Sequence, residues 1–419
     1  MSIELTTLPN GLRIVTDHVS SVDSVALGVW ADVGTRDENM AHNGVAHMVE
    51  HMMFKGTARR TAAQIAEEVE DVGGAINAWT SREMTSYHIH LLKEDMTLAV
   101  DILSDVLQHS TMPEEEIERE RHVILQEIGM TLDTPDDLVF DNYQQAAYPG
   151  QALGAPILGT CDIVKNMQKD TLHHYVRQFY TPSRLVVSAA GNVKHHDFAA
   201  MIEKSFSDLP ANRDNAHKPA AYKGGESRTE KELEQSHVVL GFQGVSRKDK
   251  DYYAAILLST LFGGGMSSRL FQEVREKRGL VYTIFSHHTA LQDDGQFLIY
   301  AGTGPGDIPK MIPVLCDEIR KITGIVHAQE LKRAKAQVRA GLLMGQESMM
   351  NRANHMAKQL IHFGKTPDIA EKLRLIEAVT TADIQAMAQR IFSTAPTLAA
   401  LGPLKQLEDF DSIRKRLAA

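Results

Sequence analysis

The spacing of apolar residues changes several times along the chain, and each change marks an element. Ile3 to Leu8 and Leu12 to Val15 are apolar-rich runs either side of Pro9-Asn10-Gly11, which predicts a β-hairpin. Ser24 to Val33 is rich in β-formers. The spacing then becomes helical over Gly44 to Lys55, and again from Thr61 to a stop at Gly73-Gly74. Ala75 to Leu92, containing INAWTS and SYHIHLL, returns to strand. Asp95 to His109 predicts an amphipathic helix. Pro113 opens a long one that runs past Gly129, with Glu114-Glu115-Glu116 at the positive end of its dipole. Asp162 to Tyr180 predicts a helix, Arg184 to Asn192 a strand and His195 to Leu209 a helix.

Residues 211–232 are polar and contain Pro and Gly-Gly, and they predict a linker near the midpoint. The earlier order then repeats. Ser236 to Val245 predicts a strand, Asp251 to Phe262 a helix ending in three glycines, and Ser267 to Lys277 a helix ending at Gly279. Leu280 to Ser286 and Gln296 to Gly302 predict strands. Helices are predicted over Ile308 to Thr323, Ala328 to Phe363 and Asp368 to Phe392, and a strand over Thr397 to Leu401. The fold class is therefore α+β: two similar tandem domains, 1–210 and 233–419, joined by 211–232. Each is expected to be a mainly antiparallel sheet with helices on one face.

Composition narrows the function classes. Formal net charge is −10, so no basic surplus exists to hold a phosphate backbone, and nucleic acid is not an expected partner. Two cysteines, Cys161 and Cys316, cannot build a disulfide framework. No apolar run is long enough to span a membrane, and the first twenty residues lack the features of a secretory signal. A cytoplasmic location is expected for a bacterial-type chain, or the mitochondrial matrix for a eukaryotic one whose presequence has been removed. The 19 histidines direct attention to metal or proton chemistry.

His47-Met48-Val49-Glu50-His51 is the sharpest feature. On a helix, positions i and i+4 share a face, so His47 and His51 can meet one metal ion, with Glu50 beside them. This is the inverted zincin order, H-x-x-E-H. Two imidazoles suit Zn²⁺, and a neighbouring carboxylate can take a proton from water. Val45, Ala46, Met48, Val49, Met52, Met53 and Phe54 surround the pair, so the helix reads as buried nearly all round. Two imidazoles and a carboxylate buried without partners would cost several kcal/mol, a cost a metal removes. A third ligand could be His88, His90, or a carboxylate of the long helix, where Glu120 and Glu127 share a face.

LPNGLRIVT, GVAHMVEHMMFKGT, GGAINAWTSREMTSYH, ERERHVILQEI and GGGMSSRLFQEVREKRGLVYTI together resemble the pitrilysin-type zinc metallopeptidases. Within them the chain is most similar to mitochondrial processing peptidase β subunits and their bacterial relatives. The resemblance implies one Zn²⁺ per chain, held by His47, His51 and Glu127, the last about 76 residues beyond the second histidine. It implies Glu50 as the catalytic base and Glu120 as the supporting carboxylate. Arg275 and Tyr282 match residues that bind substrate and the transition-state oxyanion. Asn77, Ala78 and Trp79 match an edge strand that pairs with substrate backbone, and Glu83 and Phe54 match further substrate-binding positions. A family chamber takes four such domains and this chain supplies two, half of a clamshell. A homodimer, or a heterodimer with a related subunit, is implied, with peptides or presequence-like extended segments as substrate. The family also contains non-catalytic structural core subunits, which is the alternative function.

Overall fold

The computed structural model describes residues 2–213 and 216–418. Met1 and Ala419, at the ends of the expected domains, and Asp214 and Asn215, in the expected linker, lie outside the described residues. The first half runs β1 (Ser2–Thr7), β2 (Arg13–His18), β3 (Ser24–Ala31), α1 (Val45–Met53), α2 (Ala62–Glu70), β4 (Ala75–Thr80), β5 (Thr85–Leu92), α3 (Met96–His109), α4 (Glu114–Asp133), α5 (Pro135–Ala147), α6 (Cys161–Asn166), α7 (Lys169–Phe179), β6 (Leu185–Gly191) and α8 (His195–Ser205). The second runs β7 (Gly225–Glu230), β8 (Ser236–Gln243), α9 (Tyr252–Gly263), a π-helical turn (Phe271–Glu276), β9 (Thr283–Ala290), β10 (Gly295–Thr303), α10 (Ile308–Gly324), α11 (Ala328–Gly345), α12 (Met349–Phe363), α13 (Ile369–Ala378), α14 (Thr381–Phe392), β11 (Thr397–Gly402) and α15 (Phe410–Ala418).

Local chemistry sets these boundaries. Gly11, at φ +95°, closes the first hairpin, where the Asn10 side chain accepts from the Leu12 amide. Thr61 and Gln64 form a capping box that starts α2. Two predicted long helices are each broken in two by an internal cap. Ser348 accepts from the Asn351 amide and starts α12, and Thr380 with Asp383 starts α14. The expected helix over 162–180 is also two, α6 and α7.

The six-stranded sheet has the order β1-β2-β6-β3-β5-β4 and the five-stranded sheet β7-β11-β8-β10-β9. From β2 and from β7 onward the pattern is the same: one parallel pair, then three antiparallel pairs. The fold is thus the expected pair of similar, mainly antiparallel α+β units. Strand β7 was not anticipated. It occupies 225–230 of the supposed linker and pairs in parallel with β11.

The two compact units are not contiguous in sequence. The first comprises Met1–Gly129, Ala155–Lys218 and Met344–Pro367, and the second Met130–Gly154, Pro219–Leu343 and Asp368–Ala419. Only the crossing at 218/219 falls within 211–232. The expectation of helices on one sheet face also needs correction. In the first unit one face packs against α1, α3 and α8, while Trp30, Met84 and Val186 on the other are covered by Ala353, Met356 and Leu360 of α12. In the second unit Val239, Leu298 and Leu401 are covered by Val139 and Tyr143 of α5. Each sheet is sealed on its second face by a helix from the opposite half of the sequence.

Candidate metal centre

Helix α1 carries His47, Glu50 and His51 and begins at Gly44. That residue has φ +93°, and a Cβ there would meet the Leu158 carbonyl oxygen at 2.8 Å. Its amide and those around it are held by one buried carboxylate. Glu38 accepts from Gly44 N at 2.9 Å, Ala46 N at 2.9 Å and Asn43 Nδ2 at 2.9 Å. The anion satisfies orphan amides at the positive end of the helix dipole. Burial nevertheless pushes the Glu38 carboxyl up to about 7. This residue was missed in the sequence. A lone acid six positions before a helix-starting glycine gives no pattern to find.

One turn apart on α1, the His47 and His51 rings have centroids 4.6 Å apart. Glu127 on α4 brings Oε2 to 3.7 Å from His47 Nε2 and 3.8 Å from His51 Nε2. Among the described residues this is the group whose side chains could together hold a metal ion, with all three donor atoms within 4.8 Å of one another. His88, which bonds Ser86 at 3.2 Å, and the exposed His90 stand outside it. The donor set tests well for a divalent cation. Glu127 Oε2 is buried without a hydrogen-bond partner, although two ring nitrogens face it. Burial, helped by His51, pushes His47 down to about 4, so its ring is neutral and its lone pair free. Two imidazoles and a carboxylate are a catalytic zinc set that leaves a position open.

The surrounding groups divide the work. Glu120, also on α4, accepts from His51 Nδ1 at 2.8 Å, which turns Nε2 of that ring toward Glu127. Burial opposes its ionisation, but Lys55 and His51 hold the Glu120 carboxyl below its usual range. Glu50 Oε2 is buried and unpartnered, and burial raises this carboxyl above its ordinary value. Glu50, His51 and Glu120 open onto a cleft of about 280 Å³ whose apolar walls include Phe54, Ile65 and Ile76.

Residues 13–161 match the family described as Insulinase (Peptidase family M16), and 166–338 the one described as Peptidase M16 inactive domain. A protein of Streptomyces coelicolor named an uncharacterized zinc protease is 39% identical, over 96% of this chain and 90% of its own length. The chain belongs to peptidase family M16. An M16 relative of Rickettsia felis, also named an uncharacterized zinc protease, is 40% identical over 96% of this chain and 98% of its own. The zinc protease YmxG of Bacillus subtilis, likewise uncharacterized, is 37% identical over 95% and 97%. A crystal structure of a protease from Helicobacter pylori superposes with a TM-score of 0.88 at 25% identity, covering 96% of this chain and 99% of that one. The pitrilysin-type resemblance and the tandem α+β fold therefore hold, and Zn²⁺ is the cofactor of this M16 chain. His47, His51 and Glu127 are the residues that would hold it.

The other residues that the resemblance pointed to fall in several places. Among the described residues strand β4 is an edge of its sheet, paired with β5 alone, and Asn77 and Ala78 line the cleft beside Glu50. Trp79 points to the opposite face, where it packs with the α12 cluster and the Lys358 ammonium lies 5.1 Å from its ring centroid. Glu83, expected to meet substrate, lies in the turn after β4, buried and paired with Arg36 Nη1 at 2.5 Å. Arg275 and Tyr282 come together in the second unit, with the guanidinium 5.9 Å from the phenol ring centroid and Tyr282 73% exposed. Among the described residues no helix is long and apolar enough to cross a membrane.

Proposed function

We propose that this chain is a zinc-dependent endopeptidase that cleaves extended, presequence-like peptide segments inside a chamber formed by two copies. One observation carries the reading. Among the described residues a buried carboxylate oxygen of Glu127 without a hydrogen-bond partner faces two imidazoles, and Glu50, whose Oε2 is likewise unpartnered, stands beside them at a cleft. When bound, zinc supplies a Lewis acid for water and the scissile carbonyl. Glu50 accepts the proton of the attacking water and delivers it to the leaving amine, a task its raised pKa suits. The free edge of β4 adds substrate as a further strand, held by its backbone, and Asn77, Ala78 and Phe54 border the neighbouring side chains.

Glu50→Gln should abolish peptide cleavage and leave zinc content at one per chain. Retained turnover would remove Glu50 from the mechanism. Arg275 and Tyr282 are proposed to stabilise developing negative charge at the partner copy's zinc. Mixing a Glu50→Gln chain with an Arg275→Ala/Tyr282→Phe chain should then restore activity through mixed dimers. If both parents stay inactive when mixed, the pair works within its own chain. A chain that carries an intact triad and both of these residues needs no related subunit, which favours a homodimer. The cytoplasm is the proposed location.

A further inference from the structure

The two ligand imidazoles are not equally fixed. Among the described residues His47 Nδ1 is buried without a hydrogen-bond partner, so no side chain or carbonyl fixes that ring from behind. His51 Nδ1 has one, Glu120 Oε2 at 2.8 Å. The orientation of the His51 ring therefore rests on one carboxylate, itself only 6% exposed. Its other oxygen, Oε1, is met by Lys55 Nζ at 2.6 Å. Lys55 comes four residues after His51 and just beyond the α1 C-cap Phe54, so its side chain returns on the same side as the ligand. Without that ammonium, one oxygen of a buried carboxylate would be left unmet and the group free to rotate about its stem.

We infer that Lys55 is a positioning residue for the metal: it locks the Glu120 carboxylate, which in turn locks the His51 ring. The role rests on the zinc reading above and deepens it. Lys55 touches neither donor atom of His51 and Glu127 nor the carboxylate of Glu50, so its effect passes through Glu120 alone. A salt bridge that served only the fold would leave zinc affinity untouched.

The test is a zinc dissociation constant, measured on the full chain by competition with a chromophoric chelator, together with the visible spectrum of the Co²⁺-loaded protein. Lys55→Met should weaken zinc binding by about 10-fold and shift the cobalt bands. Lys55→Arg, which keeps a cation within reach, should recover most of the loss. Adding Lys55→Met to Glu120→Gln should cost nothing beyond Glu120→Gln alone, because both substitutions cut the same chain of contacts. Native zinc affinity in Lys55→Met, no recovery in Lys55→Arg, or full additivity in the double variant would each overturn the inference. A separate outcome concerns the underlying reading. If the unsubstituted chain takes up no zinc, or takes it up equally after Glu127→Gln, the metal assignment itself fails.

Discussion

His217 shows how single residues beyond the metal centre hold the first unit together. Its Nδ1 lies 2.7 Å from Asp37 Oδ1 and its Nε2 3.1 Å from Asp32 Oδ1. Burial pulls the imidazole toward neutrality, but the two carboxylates win and raise its pKa to about 9. The folded state thus favours the charged ring. The stabilisation is complete below the ordinary value of 6.5 and disappears as pH rises through about 9. On linkage it is worth on the order of 3 kcal/mol. Urea unfolding should find His217→Gln less stable than the unsubstituted chain by that amount at pH 6, with the gap closing by pH 10. A gap that persists at pH 10 would mean that packing, not charge, sets the effect. At this scale the sequence was readable where chemistry is local. His47, Glu50 and His51 sit within five positions, and Glu120 and Glu127 share one helix face. It was opaque where a partner is remote: nothing near Glu83 announces Arg36, which pairs with it from 47 positions away.

At the scale of elements, α1 depends on how closely its start approaches another backbone. A Cβ on Gly44 would stand 2.8 Å from the Leu158 carbonyl oxygen and 2.9 Å from Gly159 Cα, and neither is a flexible side-chain tip. Gly73, at φ +68°, also lies in the left-handed region, yet a Cβ there meets nothing within 4 Å. The two glycines separate backbone strain from collision. Gly73→Ala should cost about 1 kcal/mol in denaturant unfolding. Gly44→Ala should cost more than about 2 kcal/mol and also weaken zinc binding, because α1 must shift and carry both histidines with it. Equal costs would show that the approach at Gly44 relaxes freely. The sequence correctly placed most strands and the helices around the site, since hairpin turns, caps and apolar spacing are local. It misread 225–230, whose alternating polar residues form an edge strand only because β11 is there to pair with. The breaks at Ser348 and Thr380 were not anticipated, because helical spacing continues on either side of each cap.

At the scale of the whole molecule, the exchange of α5 and α12 between sequence halves decides what can fold. Strands β3 and β6 are buried along almost their whole length, with no alternation of inside and outside. Such strands need cover on both faces. The apolar run of β3 carries that signal, yet helices were expected on one face only, because the run does not say where in the sequence a second cover lies. The cover is α12. Its Asn354 accepts from the Trp30 indole at 3.0 Å, its Ala353 carbonyl accepts from Ser188 Oγ at 2.8 Å, and Arg352 pairs with the buried Asp17 at 2.6 Å. A chain ending at residue 218 contains every zinc-site residue yet lacks this helix. It would leave Trp30, Met84 and Val186 open to water, Asp17 without its counter-charge and the Trp30 N–H without its acceptor. Residues 1–218 alone should therefore show no cooperative unfolding transition and no tight zinc binding. Co-expression with residues 219–419, which bring α12, should restore both. Cooperative folding of the isolated fragment, with native zinc affinity, would mean that the first face of the sheet suffices and that α12 is cover rather than core.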